Sequence, residues 1–306
     1  METRTFKCSD SRNIAYHVWL PPKGTGITAV VHILHGMAEH SARYDDFATF
    51  LNSQGIAVYA QDHRGHGESV ENGEKGFFAD NGGWQRVADD AYELSGSIAT
   101  ENPGVPLFLM GHSMGSFLAR TLMVQHPNLY NGVIVMGTGA GQGLLGVIGR
   151  RIALCEVRKN GRRKPSVKMN ALSFSSYNKR FQPGVTGFEW LSRDTAQVKK
   201  YVDDPMCGFL CTGEFFVDII DGIRLANSRQ NASRIPRDLP VLLISGQEDP
   251  VGNFGKGVQK VFRMYTECGL TDLTLKLVPG ARHELLNETD RQNTYDYLLD
   301  WIRGHV

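Results

Sequence analysis

Short apolar runs of strand length recur along the chain, and helix-like segments lie between most of them. A run that is apolar throughout is typical of a strand buried on both faces, as in a parallel sheet that helices cover. The pattern therefore predicts an α/β fold with a mostly parallel sheet and crossover helices. The predicted strands are Ala29–Leu34, Ile56–Ala60, Leu107–Met110, Val133–Met136, Val241–Ile244 and Leu273–Val278.

The first residues of the chain depart from this alternation. Two extended segments, Thr3–Lys7 and Asn13–Leu20, flank a turn at Asp10–Arg12. Two strands joined by a short turn pair antiparallel. We therefore predict an N-terminal antiparallel hairpin that caps one edge of the sheet.

The alternation also stops in the middle of the chain. From about Gly139 to Arg237 there is no comparable series of buried strands, only glycine-rich, basic and mixed helical stretches. We interpret this part as a helical cap inserted between two halves of one sheet. The predicted organisation is a core formed by residues 1–138 and 238–306, with a cap or lid formed by residues 139–237.

The composition is that of a globular protein. The 306 residues are 41% apolar, which is enough for a sizeable core, and the net charge of +1 gives no reason to expect nucleic acid as a partner. The N-terminus lacks the apolar region of a signal peptide, and no uninterrupted apolar run reaches the roughly 18 residues of a membrane span. We therefore expect a cytoplasmic location.

The sequence predicts no metal site and no cofactor. The five cysteines are odd in number and scattered, which indicates reduced thiols. Cys207 and Cys211 are one helical turn apart, but no second pair of cysteines or histidines accompanies them, so we assign them to packing. His63 and His66 lie in a glycine-rich loop that lacks further recognisable ligands, and we predict a structural role for that loop.

Ser113 is the main candidate for chemistry, in the pentapeptide Gly111-His-Ser-Met-Gly115. A strand-like run precedes it and a helix-like run, Phe117–Gln125, follows, so the serine is predicted to lie on a sharp strand-to-helix turn, the nucleophile elbow. Side chains two residues before and after the serine would collide with neighbouring chain, which explains both glycines. Because glycine is abundant in this chain, the pentapeptide alone is a weak signal, and its context must support the inference.

A serine hydroxyl needs a base to accept its proton and an acid to orient that base. In enzymes with a nucleophile elbow the chain order is nucleophile, acid, histidine. Only His283 and His305 follow the strand Val241–Ile244, and His283 is the predicted base because His305 is close to the C-terminus. Asp249, on the loop after that strand, is the predicted acid, with Glu248 as the alternative.

Acyl transfer also requires donors for the oxyanion that develops on the substrate. These donors are usually two backbone N–H groups. Met114, directly after the nucleophile, is expected to supply one of them. Met37 is the candidate for the other, because it lies on the loop His35–His40 after the strand Ala29–Leu34.

Five motifs together resemble the α/β-hydrolase superfamily, and within it the monoacylglycerol lipase and lysophospholipase group of serine hydrolases. They are His35-Gly-Met-Ala-Glu-His-Ser-Ala-Arg-Tyr44, Asp62-His-Arg-Gly-His-Gly-Glu-Ser69, Gly111-His-Ser-Met-Gly115, Gly246-Gln-Glu-Asp-Pro250 and Ala281-Arg-His-Glu284. The combination is far more specific than any one motif. For the catalytic triad and the oxyanion donors, the resemblance implies Ser113, Asp249, His283, Met37 and Met114.

The resemblance implies a serine carboxylic-ester hydrolase that acts without a cofactor, through an acyl-enzyme, on lipid-like esters such as monoacylglycerols or lysophospholipids. It also suggests that Glu39 and Arg43 lie near the end of the pocket that receives the glycerol or head group. These two charges could instead simply pair with each other. A small-ester or aryl-ester (feruloyl-type) esterase, and a noncatalytic binding protein with this fold, remain as alternative functions.

The predicted cap has two features that suit a lipid substrate. Its large apolar side chains are expected mostly to pack the cap on the core, and some of them to line an acyl tunnel. The segment Gly146–Lys168 carries eight lysines and arginines against one acid, Glu156, beside a helical face with several apolar residues. Such a segment indicates either peripheral contact with an anionic membrane surface or a solvated basic face over a packed helix.

Overall fold

The computed structural model describes all 306 residues and contains one eight-stranded sheet. The strands are β1 (Glu2–Lys7), β2 (Asn13–Trp19), β3 (Ala29–Leu34), β4 (Ile56–Gln61), β5 (Leu107–His112), β6 (Gly132–Met136), β7 (Val241–Gly246) and β8 (Leu273–Val278). They lie in the order β1-β2-β4-β3-β5-β6-β7-β8, and all neighbours are parallel except β1 with β2 and β2 with β4. The predicted parallel sheet and its antiparallel N-terminal hairpin are confirmed.

Helices cover both faces of the sheet, which explains why its strands are apolar throughout. Alternate side chains of β3 enter two different cores: Val30 and Leu34 lie in one, Val31 and Ile33 in the other. No helix combines the length and hydropathy that crossing a bilayer requires. The helices are α1 (Asp45–Ser53), α2 (Gly83–Glu101), α3 (Met114–Gln125), α4 (Gly143–Asn160), α5 (Val167–Phe174), α6 (Thr195–Asp203), α7 (Gly213–Ala226), α8 (Arg229–Ala232), α9 (Lys256–Glu267) and α10 (Arg291–Arg303).

The strand order creates a crevice at the carboxyl ends of β3 and β5. From β3 the chain continues to β4 on one side, and it later returns to β5 on the other side of β3. The connections that leave β3 and β5 therefore diverge, and open α/β sheets bind their ligands at such a point. His35 begins the loop after β3, and Ser113 directly follows β5.

Between β6 and β7 the chain forms the helices α4 to α8 and adds no strand to the sheet. The end of this region is integrated into the core, because Phe215 and Phe216 of α7 are buried with the side chains of the sheet. Gly222 of α7 lies so close to α2 that a β-carbon there would overlap the ring of Trp84. The division into a core and a cap at residues 139 and 237 stays a prediction.

The contact between α7 and α2 contains a buried carboxylate, Asp218. Its Oδ1 accepts a hydrogen bond from the N–H of Gly83 at 3.1 Å, and its Oδ2 is buried without a hydrogen-bond partner. Burial, together with the charge of Glu214, raises the pKa of Asp218 to about 7. The pKa of an aspartate in the unfolded chain is about 4. Between this pH and the folded-state pKa, the folded protein holds a proton that the unfolded chain lacks. This group therefore makes the protein less stable as the pH rises through that window.

Replacing this carboxylate tests the sign of the effect. Asp218→Asn is expected to increase the free energy of unfolding, because the amide stays neutral and keeps an acceptor for the N–H of Gly83. The increase should be about 2 kcal/mol larger at pH 8 than at pH 5. Urea denaturation at both pH values measures the difference. Asp221→Asn is the control, because Asp221 lies on the same helix but is partly exposed beside Arg150. An equal gain at both pH values would contradict the assignment.

Candidate active site

Ser113 lies on the turn between β5 and α3, with φ of 53° and ψ of −116°. This conformation is strained for a residue with a side chain, and it is the geometry expected of a nucleophile elbow. A β-carbon on Gly111 would overlap the carbonyl oxygen of Gly115, and one on Gly115 would overlap the carbonyl oxygen of Leu34. Close approach between backbones therefore requires both glycines, and it brings α3 against the end of β3.

The loop after β3 lies directly beside the nucleophile. A β-carbon on Gly36 would come within 3.1 Å of the Ser113 β-carbon. The N–H of the next residue, Met37, donates to no group of the protein. Met114 is the first residue of α3, where an N–H has no acceptor in the preceding turn and lies at the positive end of the helix dipole. The two predicted oxyanion donors thus flank Ser113.

His283 and Asp249 form a buried pair on the loops after β8 and β7. Nδ1 of His283 lies 3.0 Å from Oδ2 of Asp249, which also accepts a hydrogen bond from the Ser245 hydroxyl at 3.1 Å. The N–H of Val251 donates to Oδ1 at 2.8 Å. Burial would raise the pKa of Asp249, but the charge of His283 and these hydrogen bonds hold it below its usual value. An ionised carboxylate at Nδ1 leaves Nε2 as the proton acceptor of the ring.

The two alternative residues have other partners. Glu248 is partly exposed and lies 3.8 Å from Arg180. The ring of His305 lies 4.4 Å from that of Trp301 near the C-terminus, and its Nε2 lies 3.4 Å from Asp272. The geometry therefore favours Asp249 over Glu248 and His283 over His305.

The nucleophile and the histidine approach each other at the end of β6. The N–H of Ser113 donates to the carbonyl oxygen of Met136 at 3.0 Å. The next residue, Gly137, has φ of 61°, and a β-carbon on it would lie 3.1 Å from Cε1 of His283. The one hydrogen bond of the His283 ring goes to Asp249 and none comes from Ser113, as is common in enzymes without bound substrate.

Two further rings hold the imidazole of His283. The ring centroid of His112 is 4.7 Å from it, and that of Trp190 is 5.1 Å from it. The backbone at Trp190 also pairs with the histidine loop. The N–H of His283 donates to the carbonyl oxygen of Trp190 at 3.4 Å, and the N–H of Glu284 donates to that of Leu191 at 2.8 Å. No sequence motif marks Trp190, so this positioning of His283 by the helical region is visible only in the structure.

Glu39 lies beneath the loop that carries Met37. Its Oε1 accepts a hydrogen bond from the N–H of Gly36 at 2.6 Å and lies 3.2 Å from Nδ1 of His112. Its Oε2 pairs with Arg43 at 2.6 Å. Burial would raise the pKa of Glu39, but the hydrogen bond from His112 and the charge of Arg43 hold it well below its usual value. Glu39 thereby stabilises the conformation of the loop.

Arg43 lies between two buried carboxylates. Besides Glu39, its guanidinium donates two hydrogen bonds to Glu284, at 2.7 and 2.8 Å, and it lies over the ring of Tyr201 at 4.9 Å. The pairing of Glu39 with Arg43, which the sequence left as the alternative, is therefore present. The cluster lines a cavity of about 10 Å³, which has room for roughly one water molecule. A contact of Glu39 or Arg43 with substrate stays a prediction.

His112 and Glu284 belong to the quoted motifs, but the sequence analysis assigned them no role. Nδ1 of His112 faces Glu39, and its Nε2 lies 3.3 Å from the carbonyl oxygen of His283. Because both neighbours are acceptors, only the imidazolium satisfies both ring nitrogens. Burial opposes that charge, but Glu39 raises the pKa of His112 above its usual value. The sequence offered one signal for a role of these two residues: His112 directly precedes Ser113, and Glu284 directly follows His283.

The loop with His63 and His66 is packed inside the protein. The rings of His35 and His63 lie 4.1 Å apart, and the N–H of His63 donates to Nε2 of His35 at 3.0 Å. The ring of His66 lies 5.2 Å from that of Phe209, and burial lowers the pKa of His66 to about 3. These contacts fit the structural role predicted for the loop.

Comparison with known proteins places these residues in a family context. The family model described as serine aminopeptidase, S33 matches residues 25–290. The monoglyceride lipase homolog of Monkeypox virus is 29% identical over 91% of this chain and 90% of its own. The monoacylglycerol lipase of Mycolicibacterium smegmatis is 28% identical over 96% and 94%, and the human monoglyceride lipase is 26% identical over 92% and 82%.

Solved structures confirm the α/β-hydrolase fold. A thermostable carboxyl esterase from Bacillus coagulans, in complex with glycerol, superposes with a TM-score of 0.91 at 25% identity, covering 99% of this chain and 98% of the other. A soluble variant of monoglyceride lipase from Saccharomyces cerevisiae, in complex with a substrate analog, gives a TM-score of 0.80 at 23% identity, covering 100% and 95%. Both matches extend over the whole chain, including the helical region between β6 and β7.

The structural role of Arg43 leads to a test. Arg43→Met is expected to lower the free energy of unfolding by about 3–5 kcal/mol, because it leaves Glu39 and Glu284 buried without their counter-charge. Arg150→Met is the matched control, because Arg150 pairs with Asp221 and both side chains are more than a third exposed. This substitution should lower the free energy of unfolding by about 1 kcal/mol or less. Urea denaturation measures both. Equally small losses would refute the structural role of Arg43.

Proposed function

The chain belongs to the serine aminopeptidase S33 family, and we propose that it is an esterase that hydrolyses lipid-like carboxylic esters through an acyl-enzyme. As a member of this family with the α/β-hydrolase fold, it is a serine hydrolase. The observation that carries the proposal is the convergence of Ser113 and the His283–Asp249 pair at the end of β6. A nucleophile, a base and an orienting acid in this order are what acyl transfer requires.

In the proposed reaction, the Ser113 hydroxyl attacks the ester carbonyl while Nε2 of His283 accepts its proton. The carbonyl oxygen becomes an oxyanion, which the N–H groups of Met37 and Met114 stabilise. The C–O bond then breaks, and the leaving alcohol takes the proton from His283. Water next attacks the acyl-serine ester with His283 again as base, which releases the carboxylic acid and restores Ser113.

The relatives suggest the substrate class. The names of the viral, mycobacterial and human relatives describe monoglyceride or monoacylglycerol lipases, and each aligns over more than nine tenths of this chain. We therefore propose monoacylglycerols, or lysophospholipids of similar shape, as substrates. The similarity to a carboxyl esterase supports a second candidate, a hydrolase of short-chain or aryl esters.

Covalent labelling tests the nucleophile. A fluorophosphonate probe is expected to label the wild type and not Ser113→Ala, and the variant should lose on the order of a million-fold in turnover. Ser116→Ala is the control, because Ser116 lies one helical turn away and donates to the Ser113 carbonyl oxygen at 2.5 Å. It should still be labelled. A wild type that is not labelled would support the noncatalytic binding protein instead.

Acyl-chain length separates the two substrate classes. Glycerol monoesters from acetyl to long-chain acyl, with an aryl acetate for comparison, are assayed for kcat/KM. A maximum at medium or long chains is expected, since each methylene group buried in an apolar pocket adds about 0.8 kcal/mol of binding. A maximum at acetyl or aryl esters would leave the mechanism in place and overturn the lipid assignment.

We also propose that α4 rests on a membrane surface. Its first turns expose a cluster of apolar side chains: Leu144 is 81% exposed, Leu145 is 73% and Ile148 is 52%. The basic segment around it is less charged than the sequence suggests, because four of its eight cations form ion pairs. These are Arg150 with Asp221, Arg162 with Glu214, Arg163 with Glu74 and Asp80, and Lys168 with Glu156.

The other four cations of the segment have no such partner, so a contribution of charge to membrane binding is tested as well. The wild type is expected to bind vesicles that contain anionic lipid, and Leu144→Ser with Leu145→Ser should abolish binding in a flotation assay. Val185→Ser is the control, because Val185 is 96% exposed outside α4. Binding should weaken as salt increases. Binding that high salt leaves unchanged, or that is absent at low salt, would refute the electrostatic part of the proposal.

A further inference from the structure

A polar cluster that the hydrolytic scheme does not use joins the loop after β3 to the segment between α6 and α7. Nε2 of His40 lies 2.8 Å from Oδ2 of Asp204. Together with Cys207, these residues offer one nitrogen, one oxygen and one sulfur ligand, and the three atoms lie within 4.8 Å of one another. His40 and Asp204 are far apart in sequence, so only the fold brings this set together.

Hydrogen bonds already hold the loop after β3 against α6 and the segment that follows it. The carbonyl oxygen of Ala38, in the loop after β3, accepts hydrogen bonds from the N–H of Gly208 at 2.9 Å and from the Tyr201 hydroxyl at 3.1 Å. Ala38 has φ of 53°, a strained conformation that these contacts help to maintain. The three ligand atoms therefore lie on a framework that is assembled independently of any cation.

Imidazole, carboxylate and thiolate groups form a donor set suited to zinc and to softer divalent cations of similar geometry. In a tetrahedral zinc site, with bonds of about 2.0–2.3 Å, the ligand atoms lie about 3.3–3.6 Å apart. The three ligand atoms, which lie within 4.8 Å of one another, need shifts of about 1 Å to reach this spacing. Asp204 is partly exposed while His40 and Cys207 are buried, so a cation can enter past the carboxylate and keep water as a fourth ligand.

The surrounding charges favour a cation. The Cys207 thiol lies near three carboxylates, those of Glu39, Glu284 and Asp204, and near the guanidinium of Arg43. These three carboxylates face two cations, the guanidinium of Arg43 and the imidazolium of His112, so the region keeps a net negative charge. A divalent cation would reduce the repulsion among these carboxylates, at the point where the loop after β3 meets the helical region.

We propose that His40, Asp204 and Cys207 bind a thiophilic divalent cation such as Zn²⁺, which links the oxyanion loop to the helical region. On binding, the Cys207 thiol gives its proton to solvent and its sulfur bonds to the cation. The His40 ring shifts the proton of its hydrogen bond to Asp204 from Nε2 to Nδ1 through solvent, and the freed Nε2 and the Asp204 carboxylate then bond to the same cation. No electron is transferred, and affinity increases with pH because a proton is released.

Cadmium is a direct probe, since a cadmium–thiolate bond absorbs in the ultraviolet whether or not the enzyme turns over. The full chain with Cys155→Ser and Cys268→Ser serves as the parent, because these two thiols are the ones that are not buried. We expect the parent to bind one equivalent of Cd²⁺ with this absorption and with release of a proton, and Zn²⁺ to displace it. The thermal midpoint of the parent should rise when Cd²⁺ is bound.

Variants of the parent identify the ligands. Cys207→Ala should abolish the absorption, and Asp204→Asn should weaken Cd²⁺ binding at least tenfold. Cys211→Ala is the matched control, because Cys211 is buried like Cys207, lies four residues further along the same non-helical segment and is not part of the cluster. It should bind as the parent does.

Three results would overturn the proposal: no absorption from the parent, absorption that persists in Cys207→Ala, or unchanged affinity in Asp204→Asn. Asp204 is partly exposed, so this last variant keeps the test independent of folding defects at the buried cysteine. None of these measurements uses ester hydrolysis. Their failure would therefore leave the proposed esterase function unaffected.

Discussion

The close approach of α3 to the end of β3 is the constraint on which the rest of the site depends. It is possible only because Gly115 has no side chain, since a β-carbon there would overlap the carbonyl oxygen of Leu34. The approach brings the first N–H groups of α3 beside the loop after β3. It also forces the turn at Ser113 into its strained conformation. The predicted nucleophile and the predicted oxyanion donors are thus positioned by the packing of the backbone, before any side chain contributes.

A buried network of charges keeps the surrounding loops in register. Glu39 accepts a hydrogen bond from the loop after β3, Arg43 bridges it to Glu284, and Glu284 is joined by the backbone to His283. Burying several charges carries a large desolvation cost, which the mutual pairing offsets. Through this network the loop after β3 and His283, which come from opposite ends of the chain, share one support.

The helical region between β6 and β7 contributes contacts to the candidate site. Trp190 packs on the ring of His283, and its carbonyl oxygen accepts the N–H of that residue. The cluster of His40, Asp204 and Cys207 ties the same region to the oxyanion loop. A movement of these helices would therefore change the position of the histidine and of the oxyanion loop, in addition to access for substrate.

The sequence by itself determined the sheet, the hairpin at its edge and the elbow at Ser113. Those features follow from local rules: apolar runs of strand length, turn residues, and glycines where backbones meet. It also determined the order of Ser113, Asp249 and His283 along the chain. Only the tertiary structure distinguishes Asp249, which is buried against His283, from Glu248, which is partly exposed near Arg180, since adjacent carboxylates have the same chemistry.

The tertiary structure also decided what pairs across long separations in sequence. No local pattern in the sequence indicates the contact of Trp190 with His283, the bridge from Arg43 to Glu284 or the proximity of His40 to Cys207. The same holds for the basic segment, whose charge looked unopposed because its acidic partners lie mostly elsewhere in the chain. Local patterns report which residues share an element, whereas these contacts depend on how the elements pack, and packing is a property of the whole fold.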